Sequence, residues 1–132
     1  MRVDFYIVSN VIGVCCQLAE RAFLKGMRVR IHTNDIVQSD RIDQSLWTFR
    51  SESFIPHVVG ESTLVADVPV VIDHIDSSDC TDVLINLADT RPAFYTQYRF
   101  ICELVAPDTK AAGRVRYKQY EKDGCELHVH DK

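Results

Sequence analysis

The sequence predicts an α/β fold: a single domain with a mostly parallel, Rossmann-like sheet flanked by helices and no nucleotide-binding motif. Three observations carry the prediction. A β-branched and aromatic run opens the chain, a stretch with helical spacing follows it, and a second alternating run follows that one. Strand, helix and strand in about thirty residues make a βαβ unit, whose two strands lie parallel. At 132 residues the chain is long enough for one real core and too short for two ordinary domains, so residues 1–132 are expected to form one unit.

The elements follow in order. Val3 to Val8 is the first strand, bounded by Ser9 and Asn10. Asn10 caps a helix to about Leu24, along which Val11, Val14, Cys15, Leu18, Ala19 and Ala22 recur at helical spacing. Gly26 terminates it, and Arg28 to His32 alternates as the second strand. Asn34 or Asp35 caps a second helix ending near Trp47, with Ile36, Ser39, Ile42 and Leu46 on one face. Phe49 to Gly60 is expected to be mostly loop, because Pro56 interrupts regular structure. Short strands are expected at Leu64 to Ala66, Val70 to Asp73 and Val83 to Leu87, with an acidic loop between the last two. Pro92 to Tyr98 is either one helical turn or the approach to a strand; Arg99 to Val105 is β-rich. Pro107-Asp108 opens a helix from about Thr109 to Lys122, Asp123-Gly124 ends it, and Cys125 to His130 forms a last strand, at a sheet edge.

Composition excludes several classes of protein. A hydrophobic content of 46% with 26% charged residues is globular and argues against disorder. The amino terminus lacks a basic region and processing site, and no apolar run approaches the roughly 20 residues of a bilayer span, so a cytoplasmic protein with no membrane contact is expected. Five cysteines, an odd number with two adjacent, argue for free packing thiols rather than a disulfide framework.

Charge is distributed unevenly about a net of -4. No Lys or Arg lies between Arg50 and Arg91, whereas Lys110, Arg114, Arg116 and Lys118 crowd one helix with no acid among them. A locally basic helix on an acidic protein points to one docked acidic partner. A general nucleic-acid binder needs a broad positive field, so sequence-specific DNA contact is not expected.

Local motifs for chemistry are weak. The first strand-to-helix turn, Ser9 to Gly13, holds one glycine and no phosphate-cradling pattern, so no cofactor is expected. Cys125, His128 and His130 are the best-looking metal cluster, yet an edge strand with exposed histidines accounts for them, and no metal is expected. Ser53 and Ser62 near His57 lack an elbow-like glycine context, so no catalytic residue is assigned. Lys110, Arg114 and Lys118, four residues apart, stack on one helix face beside Tyr117, with Arg116 more distant and Ala111 and Val115 turned to the sheet. Such a ridge can clamp a carboxylate through Arg114, although the pattern alone equally fits a solvated helix face. Trp47 and Phe54 either furnish an apolar pocket or belong to the core.

The run Arg41 to Trp47, followed by Glu52-Ser53-Phe54-Ile55-Pro56-His57 and Gly60-Glu61, resembles the signature of the chi subunit family of bacterial DNA polymerase III. Asp82 to Leu87, and Arg114 to Tyr120 followed by Gly124, are similar to that family's later strand and last helix, so the resemblance covers essentially the full chain. It implies a non-catalytic accessory protein of the clamp-loader assembly with two partners. These are the small subunit psi and the acidic C-terminal tail of single-stranded DNA-binding protein, which ends in an aromatic residue bearing the terminal carboxylate. Carried over, Trp47 and Phe54 help form the hydrophobic pocket for the tail, and Arg114 and Lys118 meet its charges with Tyr117 alongside. The stretch between Pro107 and Arg114, which holds Lys110, is shorter here than in better-known members. A direct single-stranded nucleic-acid-binding module and a small nucleotide- or metal-dependent enzyme are the alternative classes.

Overall fold

The computed structural model describes residues 1–48, 57–59, 70–75 and 82–131. Among these residues seven strands form one sheet: β1 (Arg2–Ile7), β2 (Val29–His32), β3 (His57–Val59), β4 (Val70–Asp73), β5 (Val83–Asn86), β6 (Phe100–Val105) and β7 (Glu126–Asp131). Three α-helices accompany them, α1 (Val11–Leu24), α2 (Ile36–Thr48) and α3 (Lys110–Lys122), with short 3-10 turns at Tyr95–Gln97 and Pro107–Thr109. The sheet order is β3-β4-β2-β5-β6-β1-β7, and every pairing is parallel. The α/β reading therefore stands, with the sheet wholly parallel.

Local chemistry explains the element ends. The Asn10 side chain accepts from the Gly13 amide at 3.0 Å, which satisfies one of the open donors of α1. Asp35, one of the two expected caps, does the same for the Gln38 amide of α2 at 2.8 Å. Gly26 and Gly124 adopt φ of 75° and 82° after α1 and α3, the left-handed geometry that a side chain disfavours. The ambiguous segment before β6 resolves as the turn Tyr95–Gln97.

One expectation needs correction. Residues 57–59, inside the segment expected to be mostly loop, form edge strand β3 against β4. The expected strand at Leu64 to Ala66, Phe54 and Cys80 lie outside the described residues.

Strand alternation divides the core into two layers. On one face Val29, Ile31, Val83, Ile85 and Leu104 pack against Cys15, Cys16 and Ala19 of α1 and Ile42 and Leu46 of α2. On the other, Val3, Phe5, Leu84, Ile101 and Val105 pack against Tyr120 of α3 and against Tyr95 and Tyr98. The described cysteines are free; burial pushes the Cys16 thiol up to about 11 and Cys102 to about 12, as suits packing groups. Among the described residues no helix is long and apolar enough to cross a membrane.

Candidate partner-binding site

Helix α3 sits on the sheet through Gly113, Arg116 and Tyr120, at steps of three and four residues. This phase differs from the one the sequence suggests. Val115, expected to face the sheet with Ala111, is 58% exposed, while Arg116, expected to flank the cationic stripe at a greater distance, is only 2% exposed. Two features set the phase. A Cβ on Gly113 would lie 3.0 Å from both Val105 methyl groups, so only glycine lets the helix come this close to β6. Three residues on, Arg116 Nε donates to Glu103 Oε1 at 2.8 Å and Nη1 donates to the Asp89 carbonyl at 2.9 Å.

Glu103 is fully buried and fully engaged. Tyr120 donates its phenolic proton to Oε2 at 2.7 Å, and Asn86 Nδ2 donates to both carboxylate oxygens at 3.0 Å. Burial raises the Glu103 carboxyl above the usual carboxylate range, with Arg116 the main opposing influence. Such a pair contributes little net stability against an apolar core, but breaking it is expensive, so it favours one seating of the helix. At the far end, Asp123 accepts from Arg91 and from the Tyr95 hydroxyl.

The result is a cleft between α3 and the strands β1 and β7. Phe5, Ile7, Val105 and Val129 supply apolar walls, and Lys110, Gly113, Arg114 and Tyr117 come from the helix, enclosing about 260 Å³. The Tyr117 ring packs on Phe5 with centroids 5.4 Å apart. Lys110 and Arg114 are exposed, and neither forms an ion pair among the described residues. An apolar hollow with two uncompensated cations at its mouth suits a carboxylate attached to an apolar side chain.

Of the six residues singled out from sequence, Lys110, Arg114 and Tyr117 come together here. Lys118 is exposed one turn further along the same stripe, outside the lining. Trp47 is not brought to the cleft: it is 53% exposed on the last turn of α2, whose buried residues pack on the opposite face of the sheet from α3. Helices attached on opposite faces of a sheet share no pocket, which nearness to a signature motif does not reveal. Phe54 lies outside the described residues. Sequence reasoning missed Phe5, Ile7, Val105, Gly113 and Val129. The first, second and last look like ordinary strand residues, and only the β1–β7 adjacency, spanning the whole chain, makes them a wall.

The other candidate groups are differently engaged. His128 and His130 share a face, but His128 pairs with Glu126 at 3.2 Å and His130 with Asp4 at 3.0 Å. Among the described residues no group of three His, Cys, Asp or Glu side chains is arranged to hold a metal ion. The crevice at the carboxyl ends of the strands, where nucleotide-binding α/β folds hold phosphate, is lined by Asp89 and Asp108 as well as Arg41. The Asn10 cap occupies the nearby helix end; a Cβ on Gly13 would meet its side chain at 2.4 Å.

Comparison with known proteins places this arrangement. The C-terminal domain of the DEAD-box protein Dbp5 superposes with a TM-score of 0.64 over 98% of this chain and 89% of that one; at 12% identity this shows the fold alone. DNA polymerase III subunit chi of Pseudomonas aeruginosa is 35% identical over 98% of this chain and 95% of its own length. DNA polymerase III subunit chi of Escherichia coli is 32% identical over 92% and 86%. The family described as "DNA polymerase III chi subunit, HolC" matches residues 1–128. The chain thus belongs to the DNA polymerase III chi subunit family.

Proposed function

We propose that this protein is a non-catalytic accessory subunit of the DNA polymerase III holoenzyme, working in the cytoplasm. It links the clamp loader, through psi, to the acidic C-terminal tail of single-stranded DNA-binding protein. The observation that carries the tail assignment is the cleft of Phe5, Ile7, Val105 and Val129 with Lys110 and Arg114 at its mouth. The aromatic end of the tail enters the hollow, Arg114 takes its terminal carboxylate, and Lys110 and Lys118 attract the acids that precede it. Burying one aromatic side chain contributes about 1.5–3 kcal/mol, and this part is not screened by salt.

Trp47 supports a separate contact. A tryptophan more than half exposed at a helix end is the kind of anchor that dominates protein interfaces, and it lies on the sheet face opposite the cleft. This surface is assigned to psi, so the two partners do not compete for one site.

A synthetic acidic peptide with a free aromatic carboxyl terminus tests the tail site by calorimetry. Binding is expected at micromolar strength or tighter and should weaken on amidation of the terminus or addition of salt. Arg114→Ala should weaken it by about 1.5–3 kcal/mol, the range of a hydrogen bond to a charged group, or roughly tenfold to a hundredfold. Unchanged affinity in Arg114→Ala would remove the cleft from the assignment. Tight binding of single-stranded DNA by the protein alone would favour a nucleic-acid-binding module instead.

A further inference from the structure

A second cleft of the same chemical kind lies on the other face of β1 and β6. Helix α1 packs over β2, β5 and β6, and beyond its edge the α1 face of β1 and β7 carries Tyr6 and His130, stacked at 4.7 Å. Parallel strands are normally covered on both faces. The step between α1 and this strip is a hollow of about 240 Å³ whose apolar lining includes Tyr6, Leu18, Met27 and Phe100. Phe100 is 38% exposed there, an apolar group left facing solvent.

Charge identifies what fits the hollow. Arg21, in the last turn of α1, and Lys25, the residue that caps its C-terminus, stand four positions apart at the rim, both exposed and neither ion-paired among the described residues. The one carboxylate of the lining, Asp4, is already engaged by Arg2 at 3.2 Å and by His130 at 3.0 Å. Its charge is thereby offset, and two cations face an apolar cavity, as Lys110 and Arg114 do in the first cleft.

We propose that this hollow is a second docking site for an acidic, aromatic-ended tail, so that one chain holds two such tails on opposite faces of β1. The proposal takes the ligand chemistry from the reading of the first cleft but stands on its own residues. A partner carrying more than one tail would gain avidity from the pair, because the second contact is made at high effective concentration.

The test is a titration of the full chain with a synthetic peptide of four aspartates followed by Leu-Phe with a free carboxyl terminus. Calorimetry gives the stoichiometry and amide chemical-shift mapping gives the sites. The wild type should bind two peptides. Arg114→Ala should retain one, with shifts around Leu18 and Phe100; the Arg21→Ala/Lys25→Ala variant should retain one, with shifts around Tyr117 and Val129. Each lost site should weaken at least tenfold. All three substituted positions are exposed, so thermal unfolding should be unchanged. A single peptide per chain, lost in Arg114→Ala and untouched by the α1 double variant, overturns the second site and leaves the first. Binding lost in the α1 double variant and untouched by Arg114→Ala overturns the first-cleft reading and leaves the second. No binding to the wild type overturns both.

Discussion

Gly113→Ala sets two known effects of opposite sign against each other. Replacing a helix-interior glycine by alanine ordinarily stabilises by about 0.8–1 kcal/mol. Here the new methyl would lie 3.0 Å from both Cγ atoms of Val105, inside normal van der Waals contact. Val105 is 2% exposed on a strand paired on both sides, so it has little room to yield. Overpacking of such a site costs about 1–3 kcal/mol. The helix must therefore lift by a few tenths of an ångström, stretching the 2.8 Å Arg116–Glu103 contact beneath it. The net expectation is a loss of about 1 kcal/mol, read as a lower urea midpoint with an unchanged slope. Peptide affinity should fall too, because Gly113 lines the cleft. Val105→Ala combined with Gly113→Ala should be less destabilised than the sum of the single changes, a favourable coupling in a double-mutant cycle. Stabilisation of Gly113→Ala by the full helix-propensity gain would refute the close approach of α3 to β6.

Arg116→Met should destabilise by about 3–5 kcal/mol by leaving the buried Glu103 carboxylate without its cation, whereas Glu103→Leu/Arg116→Met should recover much of that loss in urea unfolding. A carboxyl whose folded-state pKa is raised binds more protons in the native state than in the unfolded one. Its contribution to stability is greatest at low pH and is lost as pH rises through the folded pKa. Arg116→Met, which removes the main influence opposing that rise, should therefore lose stability more steeply than the wild type as pH rises above the ordinary carboxylate range; parallel profiles would contradict a charged pair. Asp4 behaves oppositely: burial acts to raise its carboxyl, but hydrogen bonds from Arg2 and His130 outweigh this and hold it low. Its contribution is thus lost as pH falls, and Asp4→Asn should flatten the acid limb of the stability profile. Trp47→Ala should leave tail-peptide affinity within about twofold while weakening psi binding in a pull-down or calorimetric assay; a tenfold loss of peptide affinity would place Trp47 at the tail site after all.

The order of elements was legible because each rests on short-range chemistry. The Asn10 and Asp35 caps, the left-handed Gly26 and Gly124, and the β-rich runs of β1, β2 and β6 are properties of a few neighbouring residues. Strand β3 was hidden because its three residues borrow their regularity from β4, whose paired residues lie thirteen positions further along the chain. The basic character of α3 was visible in composition. Which side of the helix was basic to solvent and which was buried was not.

By itself the sequence determined a mostly parallel α/β protein with a cationic last helix, and its resemblance pointed to the chi family. The tertiary structure decided that Arg116 is a buried anchor, that Val115 faces water, and that β7 lies beside β1 so that Val129 closes a cleft opened by Phe5. It also decided that Trp47 and Arg114 belong to different faces of the sheet. The reason is physical: helical spacing restricts the choice of buried stripe without selecting it, and selection comes from the close contact at Gly113 and the carboxylate of Glu103. Both depend on a strand that the local sequence of α3 does not contain.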